Sequence, residues 1–167
     1  MKTYAYFISL LVFSILLAPV IQGQDIYEFK SVEGKCTVTF PGEYNIDSDE
    51  TEYAKVVKVM CNTDSHTFLL SYSLHKNEMV DHQNMAEVSY DSFIEAVGGQ
   101  ELSKEEWEIN GQKGLKATIE MPANNSKVDY RVILVGEIQY QLASIASNQN
   151  YDEAAIAAFN DSFDFEE

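Results

Sequence analysis

The chain has 167 residues, 46% of them hydrophobic, with 11 lysines and arginines against 27 aspartates and glutamates and a formal net charge of −16. This length and composition suit one domain with a real core and exclude disordered and fibrous classes. The acidity argues against nucleic acid and acidic membrane surfaces as partners, because it repels phosphate.

Residues 1 to 23 differ from the rest of the chain. Met1 and Lys2 supply a short positive start, the stretch YFISLLVFSILLAPVI carries no charge, and IQG ends it on a small residue. Basic start, apolar middle and small-residue end together predict a secretory signal peptide cut after Gly23. The alternative is a retained membrane anchor over Tyr4 to Ile21, at the lower limit of a bilayer span. Pro19 and the absence of a basic cluster downstream favour cleavage. The product would be exported, periplasmic or extracellular, with no stable membrane insertion. It would keep all 27 acids against 10 bases.

Residues 24 to 167 contain no linker or repeat and are expected to form one domain. In CTVTF, Cys36, Val38 and Phe40 share one face of a strand; in VVKVMC, Val57, Val59 and Cys61 share another. Antiparallel pairing that sets Cys36 opposite Cys61 also sets Val38 opposite Val59 and Phe40 opposite Val57. The expectation is therefore a Cys36–Cys61 disulfide, worth about 3 kcal/mol, with two buried free thiols as the alternative.

Between these strands lies NIDSDETEY, expected to be a loop. Asn45, Asp47, Asp49 and Thr51 stand at alternate positions, an oxygen-rich set of the kind Ca²⁺ uses. The EF-hand pattern is not met, since Glu50 and Val56 occupy its sixth and twelfth places. A solvated acidic loop is the alternative, and no other cofactor is indicated.

TFLLSYSL alternates as a half-buried strand, and His75, Glu78 and His82 beyond it offer two imidazoles and a carboxylate at no standard zinc spacing. His66 is expected in a turn. From Asn84 to Val97 the apolar residues Ala86, Tyr90, Phe93, Ile94 and Val97 follow a helical period, stopped by Gly98-Gly99. The start is marked either by an Asn84/Glu87 capping box or by Asp81.

The second half opens with a hairpin about Asn110-Gly111, joining a strand with Trp107 and Ile109 to one with Leu115, Ala117, Ile119 and Met121. A loop from Pro122 to Ser126 leads to VDYRVILV and IQYQLASIA, joined at Gly136-Glu137. Apolar residues on both faces of these strands predict a sheet covered on both sides. A last helix is expected after Asn150, with Tyr151, Ala154, Ala155, Ala158, Phe159 and Phe163 as its buried face. Phe165 falls outside that period. The order of elements describes an α+β domain, a mainly antiparallel sheet flanked by helices.

Phe29-x-Ser31 ahead of a strand ending Phe40-Pro41, the turn Ile109-Asn110-Gly111-x-x-Gly114 and the closing Phe159-x-x-Ser162-Phe163 resemble the PsbP-like superfamily over about residues 29 to 165. That family includes an extrinsic subunit of photosystem II, a Ran-binding import factor and many exported bacterial proteins. The resemblance implies an α/β/α sandwich and a role in binding proteins or assembling complexes rather than catalysis. It carries over no functional residue.

No phosphate-cradling glycine loop, His-Glu-x-x-His helix or Gly-x-Ser-x-Gly elbow occurs. The expected function is an exported, non-enzymatic binding or assembly module whose partner is a protein or small ligand. The alternatives are a small secreted enzyme with a dispersed site and an acidic carrier of cations or ligands.

Overall fold

The computed structural model describes residues 27–77 and 81–166. The expected leader and Glu78 of the histidine cluster lie outside these residues.

Within the described residues, ten strands and two α-helices run in the order β1 Tyr27–Ser31, β2 Cys36–Phe40, β3 Tyr44–Glu50, β4 Ala54–Asn62, β5 His66–His75, α1 His82–Val97, β6 Gln100–Ile109, β7 Gln112–Met121, β8 Ser126–Val135, β9 Ile138–Ser147, α2 Glu153–Asp161 and β10 Asp164–Phe165. A 3-10 turn, Pro122–Asn124, lies between β7 and β8. Seven strands form one antiparallel sheet in the order β3-β4-β5-β9-β8-β7-β6, and β1-β2-β10 form a second, smaller one.

Alternation along the long strands gives the large sheet two apolar faces. On one, Leu115, Ala117 and Ile119 of β7 and Val128, Tyr130 and Val132 of β8 meet Ala86 and Tyr90 of α1. On the other, Val59, Phe68, Leu70, Tyr140 and Leu142 meet Val38 and Phe40 of the small sheet, Phe159 of α2, and Phe163 and Phe165 behind it. Helices therefore lie on both faces, as the α+β expectation requires. The small sheet, which shares a face with α2, is an addition to that expectation.

Turns obey local chemistry. Asn110 and Gly111 both adopt positive φ (52° and 75°), which a two-residue hairpin needs and which Asn and Gly tolerate. Asp81, not Asn84, caps α1, accepting from the Asn84 backbone N–H at 3.1 Å, and Gly98 ends the helix in the left-handed region. Asp152 caps α2 by accepting from the N–H groups of Ala154 and Ala155.

The buried face of α2 is rotated from the expected one. Ile156, Phe159 and Asn160 are buried while Ala154 and Ala158 are exposed, and the helix ends before Phe163. Alanine contributes little burial energy, so the bulky Ile and Phe side chains decide which face turns inward. Phe165 also joins the core, paired beside Cys36 and stacked on Tyr140 at 5.7 Å.

The cysteine register is corrected. β2 pairs with β1 and β10, and β4 with β3 and β5, so the two cysteine strands belong to different sheets. Their apolar faces match because they pack face to face across the sandwich, not edge to edge. Cys61 Sγ lies against Gly42, past the Phe40 end of β2, whereas Cys36 begins that strand, four residues or about 13 Å of extended chain from Phe40. That exceeds disulfide reach. Both are free thiols, 2% and 0% exposed, and burial raises the Cys36 pKa to about 12.

Candidate functional site

The acidic stretch expected as a loop is mostly strand β3, an edge of the large sheet. Asn45, Asp47 and Asp49 project from one face at successive alternate positions, roughly 7 Å apart along the strand. Oxygens spread at that interval do not close around a cation held at about 2.3 to 2.6 Å from each ligand. The Thr51 hydroxyl is engaged in a turn, accepting from the N–H groups of Tyr53 and Ala54. Among the described residues no group of three or more His, Cys, Asp and Glu could hold a metal ion. His66 closes the turn from Thr63, its carbonyl accepting the Thr63 N–H at 2.8 Å, and opens β5. Its Nε2 accepts the backbone N–H of Asp152 at 3.3 Å, and its Nδ1 meets Ser65 at 2.8 Å.

One opening arises from a mismatch of strand lengths. β5, β7, β8 and β9 have ten residues each, whereas β1 and β2 have five. Register places Tyr72, Tyr140, Ile133 and Gly114 in one row across the large sheet. The small sheet covers this row. Gly34 of the β1–β2 turn accepts from the Tyr140 hydroxyl at 2.8 Å and lies against the Tyr72 ring, where even a Cβ would meet carbon at 2.8 Å.

The next row outward, Leu74, Ile138 and Val135 with Gln112 beyond, projects past that cover. The result is a half-buried apolar shelf under an opening of about 590 Å³. Lys35 and Glu166 overhang it, joined by the Glu166 N–H donating to the Lys35 carbonyl at 2.8 Å, and Glu137 stands on the β8–β9 turn.

A second, polar recess of about 100 Å³ lies beside α2, lined by Ser103, Glu105, Lys116, Thr118, Asp129 and Arg131. Asp129 accepts from the Asn160 carboxamide at 2.8 Å and lies 3.5 Å from Arg131 Nε. Arg131 also covers the Trp107 ring at 5.4 Å. Burial raises the Asp129 pKa more than Arg131 and Asn160 lower it.

Of the metal candidates read from sequence, His75 lines the first opening beside Leu74, whereas Asn45, Asp47, Asp49 and Thr51 line neither. The shelf residues escaped because each reads as an ordinary strand position. The only available signal was the contrast between long and short alternating stretches.

The architecture has a counterpart. The solution structure of cyanobacterial PsbP (CyanoP) from Synechocystis sp. PCC 6803 superposes with a TM-score of 0.62 at 9% identity, over 88% of this chain and 96% of that one. The fold is PsbP-like. A crystal structure from Bacteroides thetaiotaomicron aligns over 84% of this chain and 48% of its own, at 12% identity and a TM-score of 0.41. No family model and no curated sequence matches the chain. Within this PsbP-like sandwich, no helix among the described residues is long and apolar enough to cross a membrane.

Proposed function

We propose that the protein is an exported, non-enzymatic binding or complex-assembly module that engages its partner at the shelf formed by Leu74, Val135 and Ile138. The carrying observation is the apolar row left uncovered where the large sheet outruns the small one. Apolar surface that is open to water yet flanked by polar groups is characteristic of binding sites. The leader-like residues 1 to 23 support the exported part of this reading. The enzyme alternative would centre on Asp129, whose carboxylate is already engaged by the Asn160 carboxamide and Arg131.

A photo-crosslinking residue placed at Ile138, with a control at exposed Val88 on α1, tests the assignment in the organism's own envelope or medium. Specific adducts are expected from position 138 and not from 88. Identical adducts from both positions, or none from 138, would overturn it.

A further inference from the structure

Resting on the shelf as the binding site, we infer that its occupant is a basic protein segment that inserts one apolar side chain between Leu74, Val135 and Ile138 and sets lysine or arginine against Glu137 and Glu166. Three features carry this.

The first is shape. The opening of about 590 Å³ is large enough for a bulky side chain but is a shelf rather than an enclosed cavity. Small ligands gain affinity by burying most of their surface, which this form does not permit. A protein partner brings its own second wall.

The second is local charge. Glu137 and Glu166 are both exposed at the rim, and among the described residues Lys35 is the one lysine or arginine lining this opening. The ion pair that Glu166 makes with Lys30 is long, at 3.8 Å, between side chains 77% and 62% exposed. Exposed pairs of this kind contribute little and exchange readily for a better partner.

The third is the field of the whole chain. At a net charge of −16 it repels a second copy of itself and any acidic partner, while it accelerates encounter with a cationic one. The apolar row then supplies the anchor and the charged rim supplies selectivity.

Panning an unbiased displayed-peptide library against the immobilised protein tests this. Enriched peptides are expected to carry Leu, Ile, Met or an aromatic flanked by Lys or Arg. Their binding is expected to weaken with added salt and to fall about tenfold or more in the Glu137→Lys/Glu166→Lys double variant. Both positions are at the surface, so folding is preserved, and matched thermal melts confirm it. Ile138→Asp tests the apolar anchor separately.

Peptides that lose binding in Ile138→Asp but are acidic or neutral would overturn the charge assignment and leave the shelf as the site. Peptides indifferent to both variants would overturn shelf and charge together. Recovery of no binder, or displacement of the enriched peptides by octylamine at equal concentration, would also defeat a protein segment as the occupant.

Discussion

Cys36 and Cys61 are each hydrophobic core residues in this fold, and their chemistry is a consequence of that position. A thiol reacts through its thiolate, and burial disfavours the thiolate at both sites, taking the Cys36 pKa to about 12. In the native protein neither thiol is expected to react with a thiol reagent at neutral pH. In denaturant without reductant both are expected to react, and addition of reductant beforehand should not change the count. A count that rises only after reduction would restore a disulfide. The alternation of each strand was legible in sequence, and so was the burial of both residues. What local pattern does not carry is whether two matched apolar faces lie side by side or stacked, since both arrangements bury the same alternate residues.

At the level of elements, α2 shows how a short helix is held. Its apolar contribution is Ile156 and Phe159, the latter packed between Phe40 and Phe68 at 5.2 and 5.1 Å. Its polar tie is Asn160, 2% exposed, donating to Asp129 on β8. Because burial raises the Asp129 pKa, the folded chain retains that proton at pH values where the unfolded chain has lost it. This component of stability is present below the ordinary Asp range and is lost as pH rises through the folded pKa. Asp129→Asn removes the titration while keeping an acceptor for Asn160. Urea unfolding of the two proteins across pH should therefore show the wild type losing stability relative to the variant as pH rises from the ordinary Asp range. A constant difference would mean that Asp129 titrates normally.

The same helix marks a limit of sequence pattern. Counting alanines as face markers rotated the expected interior, whereas weighting by side-chain volume points to Ile156, Phe159 and Phe163. The capping residues Asp81 and Asp152 were within reach of sequence, yet each had a competing Asn a few residues away. The hydrogen bonds made by the folded helices decide between them.

Over the whole molecule, the large sheet ends in two exposed edges, β3 and β6, both rich in acids. Exposed edges invite pairing between molecules, and like charge along them opposes it. The chain is expected to be monomeric at neutral pH by light scattering and to associate as pH falls toward its isoelectric point near 4.4, where repulsion vanishes. Association at neutral pH that is insensitive to charge would show the edges to be unprotected. This acidity also makes the shelf selective over distance, since a cationic segment is drawn toward a molecule that repels its own copies.

From sequence alone came the α+β class, the alternation of most of the long strands, the helical period of α1, the Asn110-Gly111 hairpin and the acidic composition. These depend on neighbours along the chain, where side-chain alternation and turn conformation act locally. Tertiary structure decided that β2 leaves the strand neighbourhood of β4 for a second sheet, that Asp129 is half-buried beside α2, and that Leu74, Ile138 and Val135 stand half-buried in one row past the small sheet. Each depends on which distant segments cover a surface and where that cover stops. Pairing and coverage are set by competition among long-range contacts, and the same local alternation satisfies several of the possible outcomes.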